Sequence, residues 1–161
     1  MKHKKQIPET MMNRNLKMWE LADCPNCACF NLRKAARAVT HLYDEILRPT
    51  GIRATQFSLL VAAKAFGPVT VTRLAEMGVM DRTTLTRNLK PLEKQGLIKV
   101  VSGEDQRTRL ITLTDSGQEA LAIALPLWKK AQARVTKGLG RENWGSLKKE
   151  LSELISLAQR I

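Results

Sequence analysis

The chain has 161 residues, one domain's worth with room for a real core, and a formal net charge of +12 that favours a polyanionic partner. Hydrophobic residues make up 43% but aromatics only 4%, so aliphatic helix packing must supply most of the burial. No apolar run is long enough to span a bilayer, and Met1-Lys2-His3-Lys4-Lys5-Gln6 lacks the apolar stretch of a secretory signal; the expectation is a cytoplasmic protein with nucleic acid as its leading partner and no membrane association.

Residues 1–6 read as a basic arm. From about Pro8 to Ala22 a weak helical pattern aligns Met12, Leu16 and Trp19, with Met11, Met18 and Leu21 beside them. Such a helix is not stable alone and is expected to pack across a partner subunit. The three cysteines follow, crowded into Cys24-Pro25-Asn26-Cys27-Ala28-Cys29. An odd, crowded set is poor material for structural disulfides and better suited to a reduced, reactive or metal-binding cluster. Leu32, Ala35, Val39, Leu42 and Ile46 then repeat at helical spacing, predicting a long amphipathic helix ending near Arg48, before Pro49 and Gly51. Thr55 reads as the N-cap of a second helix carrying Phe57, Leu60, Val61 and Ala65, closed by Gly67-Pro68.

Between Thr70 and Gly96 two short helical patterns meet at a glycine-led turn. Leu74, Ala75 and Met77 mark one side of the first; Gly78 is expected to end it with a positive φ and Val79 to plug the corner. Asp81 is the predicted N-cap of the second, accepting from the backbone near Thr84, and Leu85, Leu89 and Leu92 face inward. On the other side stand Arg82, Thr83, Thr84, Thr86, Arg87, Asn88 and Lys90, side chains able to donate to phosphates and base edges; Thr72, on the first helix, is a further candidate contact.

Ile98 to Val101 and Arg109 to Leu113 concentrate β-branched residues and read as two strands around Ser102-Gly103-Glu104-Asp105, a β-wing. Asp115 and Ser116 are placed to cap a long helix through Leu121, Leu125, Trp128 and Val135 to Gly138, which Pro126 should bend. After Gly140, Leu147, Leu151, Leu154, Ala158 and Ile161 alternate four- and three-residue steps, the spacing of a seam between subunits.

The stretch from Thr70 to Gly96, together with Leu92-Glu93-Lys94-Gln95-Gly96-Leu97-Ile98, Asp105-Gln106-Arg107-Thr108-Arg109 and Leu110-Ile111-Thr112-Leu113-Thr114-Asp115-Ser116-Gly117, resembles the MarR family of bacterial transcriptional regulators. The resemblance implies a mainly α fold with a small β-wing: a winged helix-turn-helix over residues 54–114, flanked by dimerisation helices in 1–53 (with the arm and the cysteines) and in 115–161, in one compact protomer. It implies a homodimer whose terminal helices intertwine, and a pseudo-palindromic double-stranded operator with half-sites about one helical turn (~34 Å) apart. Repression is the family's commoner mode. The family places a wing arginine in the minor groove, a role open to Arg107 and Arg109, with Asp105 positioned to orient one of them. DNA binding of this kind requires no cofactor.

Cys29-Phe30-Asn31-Leu32-Arg33-Lys34-Ala35-Ala36-Arg37 is similar to the first dimer helix of the family's organic-hydroperoxide-sensing, OhrR-like branch. There a reactive cysteine takes the place of Cys29, and a tyrosine matching Tyr43 hydrogen-bonds its thiolate. The branch's other thiolate-contacting tyrosines correspond here to Arg33 and Ala54, and no distal resolving cysteine exists. A helix N-terminus with Arg33 and Lys34 nearby favours a thiolate, and Cys24 or Cys27 could resolve an oxidised Cys29. Alternatively Cys24, Cys27 and Cys29 would bind a thiophilic metal ion or an iron–sulfur cluster, with His3 or a partner residue as fourth ligand, or serve as small apolar side chains. The resemblance also implies a pocket for a small aromatic acid between dimer helices and winged helix, with Arg37, His41, Phe57 and Trp128 as lining candidates. Met11, Met12 and Met18 read as packing residues. A thiol oxidoreductase is the rival from another class; against it, the cysteines lie in no thioredoxin-like βαβ pattern, and the chain has no Gly-rich phosphate loop and only two histidines. A non-specific architectural DNA protein is the other rival.

Overall fold

A computed structural model of the chain describes residues 17–103, 105 and 108–160. The chain divides into two compact units, residues 1–37 and 38–161. The boundary falls inside the first long helix.

In the first unit the described part of the Pro8-to-Ala22 pattern is a single 3-10 turn, Met18–Leu21, closed by the Lys17 N–H donating to Glu20 Oε2 at 2.9 Å. Met11, Met12 and Leu16, on which the amphipathic reading rested, lie outside the described residues, as do the basic arm and His3. A second 3-10 turn, Cys24–Asn26, leads into helix α1, Ala28–Leu47. The Asn31 amide donates to the carbonyls of Pro25 (2.9 Å) and Cys27 (3.0 Å), fastening that turn to the helix start.

The second unit holds the core. Helix α2 (Ala54–Phe66) buries Phe57, Leu59, Leu60 and Ala63; α3 (Val71–Met77) buries Val71, Leu74 and Ala75; and α4 (Arg82–Lys94) buries Leu85, Leu89 and Leu92. Strands β2 (Ile98–Ser102) and β3 (Arg109–Leu113) pair antiparallel, with Ile98 opposite Leu113 and Ser102 opposite Arg109. A third strand, β1 (Val69–Thr70), adds to β3 through Val69 opposite Ile111, giving the order β1-β3-β2. Two residues are too few to show alternation, so no periodicity could reveal β1. Val69, Ile98 and Ile111 are buried on the sheet's inner side, against the helices of the unit. Helices α5 (Asp115–Leu139) and α6 (Arg141–Ala158) complete the chain.

Two helix starts differ from expectation. Thr55 does not cap α2: it lies one residue inside the helix, and the orphan N–H of Ala54 instead donates to Asp44 Oδ1 of α1 at 2.7 Å. The α5 cap is Thr114, not Asp115 or Ser116. Its hydroxyl accepts from the Gly117 N–H (3.0 Å) and donates to the Gly96 carbonyl (2.6 Å), so the residue that starts α5 also ties it to the approach of β2. In both cases the partner that decides the cap is remote in sequence.

Phe57 and Trp128 stack at 5.6 Å between centroids, coupling α2 to α5. Helix α6, by contrast, buries nothing: Leu154, Ile155 and Leu157 are 37%, 47% and 64% exposed. Among the described residues no helix is long and apolar enough to cross a membrane.

Candidate nucleic-acid interface

Thr70 caps α3, accepting from the Arg73 N–H at 3.0 Å, and leaves Thr72 exposed on the first turn. The turn to α4 is not built as its glycine suggests. Gly78 has φ −87°, and Val79 carries the positive φ, +50°, with its side chain 57% exposed instead of plugging the corner. A Cβ on Gly78 would stand 2.7 Å from Met80 Cε, the mobile end of a flexible side chain, and 3.4 Å from the Leu74 carbonyl oxygen. The Met80 N–H then reaches back to the Ala75 carbonyl at 2.9 Å, which closes the turn.

Asp81 caps α4 as its sequence predicts. One carboxylate oxygen accepts the Thr84 N–H (2.8 Å), the other accepts the Thr84 hydroxyl (2.6 Å), and these bonds hold the Asp81 carboxyl below its ordinary pKa. A carboxylate at this end also complements the helix dipole. With Leu85, Leu89 and Leu92 buried, the opposite side of α4 is left to Arg82, Thr83, Thr86, Arg87 and Lys90, which line one open trough. Three cations and two threonines on an exposed helix face are donors and methyls of the kind that match phosphates and base edges.

Two of the predicted contacts are drawn elsewhere. The Thr84 hydroxyl is engaged by Asp81, and Asn88 is half-buried with its amide 3.9 Å from Met80 Sδ; neither lines the trough. Thr86 stays in it but donates its hydroxyl proton to the Arg82 carbonyl at 2.7 Å, so it offers a methyl and lone pairs.

The wing meets this trough. Arg82, Thr86, Lys90 and Glu93 of α4 share a groove of about 220 Å³ with Val71, Leu89, Val100 and Arg109. Arg109 is exposed at the start of β3, opposite Ser102, and the wing turn is fixed by Gly103 N–H to Thr108 O and Thr108 N–H to Asp105 O, both 2.8 Å. Arg107 lies outside the described residues. Sequence reasoning missed Glu93, although it continues the Arg82, Thr86, Lys90 stripe at helical spacing. Among the described residues it is the one carboxylate lining this groove.

The model of the MarR family matches residues 52–108. The organic hydroperoxide resistance transcriptional regulator of Bacillus subtilis is 31% identical over 139 residues, covering 84% of this chain and 90% of that protein. The chain belongs to the MarR family. Among curated relatives of this MarR-family regulator the matched share of the relative's length varies, from 55% up to that 90%. Its fold is that of the M. tuberculosis transcriptional regulator MosR in complex with DNA, at TM-score 0.77 and 40% identity over 83% of this chain and 97% of MosR. The transcriptional repressor CouR, bound to a 23-mer DNA duplex, is similar at TM-score 0.73 and 26% identity, covering 88% of this chain and 99% of CouR. Members of the family and the named relatives are DNA-binding transcriptional regulators, not enzymes.

In this MarR-family chain the residues expected to sense a signal are spread along the N-terminal half of the molecule. Cys24 opens the second 3-10 turn, Cys27 ends it and Cys29 sits in the first turn of α1; all three are free and exposed. Among the described residues no group of three or more His, Cys, Asp or Glu side chains is arranged to hold a metal ion. The Tyr43 hydroxyl, expected to face a thiolate, has another partner: it donates to Gln132 Oε1 of α5 at 2.5 Å, and burial raises its pKa. Of the expected pocket lining, Phe57 is 3% exposed, packs in the core and stacks on half-buried Trp128. Arg37 and His41 are exposed on α1.

Proposed function

We propose that this regulator is a homodimeric, sequence-specific repressor that works in the cytoplasm and leaves a pseudo-palindromic operator when its thiols are oxidised. The observation that carries the DNA reading is the Asp81-capped helix whose exposed side, Arg82, Thr83, Thr86, Arg87 and Lys90, continues into Arg109 of the wing. A protomer offers one such helix, and two related by a two-fold axis would reach successive major grooves. The bare apolar side of α6, at Leu154, Ile155 and Leu157, supports pairing of two copies. Repression is supported by the likeness to CouR, a transcriptional repressor.

The thiol input is supported by likeness to a hydroperoxide resistance regulator and by the exposure of Cys24, Cys27 and Cys29. Attack of the Cys29 thiolate on a hydroperoxide would break the O–O bond, leaving a sulfenic acid and an alcohol. A second thiol, Cys27 or Cys24, would then condense with it to a disulfide, releasing water. Oxidation weakens operator binding only as far as the two states differ in affinity for DNA, tenfold for each 1.4 kcal/mol of coupling.

An operator selected from a random duplex library supplies the test. Its binding is titrated with an organic hydroperoxide, with arsenite, Hg(II), Cu(I) and Zn(II), and with small aromatic acids, for the native chain and for Cys24→Ser, Cys27→Ser and Cys29→Ser singly and together. Release by hydroperoxide that disappears with Cys29→Ser supports the reading. A triple variant that responds like the native chain removes the thiols from the account. Release by a metal ion alone makes the cluster a thiophilic metal sensor, and release by an aromatic acid in every variant moves the input to a ligand pocket.

A further inference from the structure

A second groove flanks α4 on the side away from the wing. It has a volume of about 380 Å³ and is lined by Gly51, Arg53, Thr55 and Gln56 at the start of α2 and by Arg87, Asn88, Pro91 and Gln95 of α4. Among the described residues no carboxylate lines it. Its polar surface is donor-rich: two guanidinium groups, and a Gln56 amide whose oxygen already accepts the Arg53 backbone N–H at 2.8 Å, leaving its NH₂ as the polar group to offer. The α2 N-terminus itself is occupied, since Asp44 takes the Ala54 N–H, so the character of the groove comes from side chains.

Arg87 lines both this groove and the trough on the exposed face of α4. Arg82, Thr86 and Lys90 likewise line both the trough and the groove shared with the wing. The three concavities therefore run together across the molecule, from Arg53 on one flank to Arg109 on the other. A helix with its side chains is about 10–12 Å across, and the major groove is about 12 Å wide. A helix seated there has a phosphodiester strand along each flank. Arg109 serves the wing flank; the groove of Arg53 and Arg87 lies where the other strand must pass.

We infer that the groove between the start of α2 and α4 is a phosphate-binding cleft for duplex DNA, in which Arg53 and Arg87 hold a backbone phosphate on the strand opposite the wing. This rests on the DNA-binding reading above and extends the contact surface to α2, outside the helix-turn-helix motif. A phosphate contact carries no sequence information, so its loss must weaken all duplexes alike.

The experiment measures binding of the full-length protein to a short mixed-sequence duplex and to the selected operator over a range of salt, for Arg53→Ala, Arg53→Lys and, as a reference on the trough, Lys90→Ala. Arg53 is exposed and the helix start at its position uses only its backbone N–H and C=O, so the variants keep the fold; circular dichroism checks this. Arg53→Ala should weaken both duplexes by the same factor, about fivefold at 0.15 M salt for each protomer bound, and reduce the log–log salt slope by about 0.9 per protomer. Arg53→Lys should keep the slope. An unchanged slope in Arg53→Ala, a loss confined to the operator, or a lysine variant that behaves like alanine would each overturn the cleft. If Lys90→Ala weakens binding and Arg53→Ala does not, only this inference falls. If neither affects either duplex, the DNA-binding assignment of α4 fails with it.

Discussion

Asp81 shows how one residue fixes the placement of a whole face. Its carboxylate takes both the Thr84 N–H and the Thr84 hydroxyl, and so sets where α4 starts and which side chains it exposes. Because these bonds lower the folded-state pKa, the ionised form stabilises the fold. That stabilisation is present above the unfolded carboxylate pKa and is lost as pH falls through the lower folded value. Asp81→Asn keeps a capping oxygen but not the charge. It should therefore be less stable than the native chain near neutral pH, with the gap closing in acid; a gap that stays constant across urea titrations at several pH values would contradict the assignment. Val79 poses the opposite case. A β-branched residue at φ +50° is strained, by roughly 1–3 kcal/mol for a non-glycine in this region, while glycine costs about 0.5–1 kcal/mol in chain entropy. Val79→Gly should therefore raise the unfolding free energy by up to about 1 kcal/mol, visible as a higher urea midpoint, with no loss of DNA binding.

At the scale of elements, the junction of wing and α5 is a close approach of backbones. A Cβ on Gly117 would lie 2.0 Å from the Leu97 carbonyl oxygen and 2.7 Å from Leu113 Cδ1. The first of these is backbone and cannot swing aside. Gly117→Ala should thus cost at least about 1–3 kcal/mol, the range of overpacked cores, and shift the wing relative to α4. Reduced thermal stability together with weaker binding to every duplex is the expected pair of results; a variant of native stability would show that α5 does not pack as described. The Leu-Thr-Asp-Ser-Gly run was readable as a helix start from its residue types. That Thr114 and not Asp115 holds the cap was not, because the deciding acceptor, the Gly96 carbonyl, lies far upstream. The same holds at α2, where Asp44 of α1 supplies what Thr55 was expected to.

At the scale of the molecule, a single protomer leaves α6 without a buried residue, although its leucines recur at seam spacing. Leu154 is 37% exposed in the protomer, so replacing it costs the protomer little. Leu154→Glu should leave protomer stability nearly unchanged but place a charge in the seam of each copy. Sedimentation should show a dimer dissociation constant raised about 100-fold or more, with operator affinity falling alongside. An unaltered dimer would move the seam to another surface. The +12 charge acts at this scale too, drawing duplex DNA of any sequence to the surface before the helix side chains select among sites.

The chain by itself determined the helices from α1 onward, the Asp81 cap, the wing strands and the inward leucines of α4, because each is set by interactions within a few residues: hydrophobic spacing, a side chain reaching the N–H three positions on, a β-branched run. Only the tertiary structure decided that Val79 and not Gly78 takes the left-handed turn, that Thr84 and Asn88 leave the reading face, that β1 joins the sheet, that Phe57 is core, that Tyr43 bonds Gln132, and that Arg53 stands across a groove from Arg87. The β1 pairing, the Phe57–Trp128 stack, the Tyr43–Gln132 bond and the Arg53–Arg87 groove each depend on which distant segments the packed core brings within contact distance, so no short window of sequence contains both partners. Val79, Thr84 and Asn88 are settled within the turn and helix themselves, where the same side chain has several local uses and sequence spacing does not choose among them.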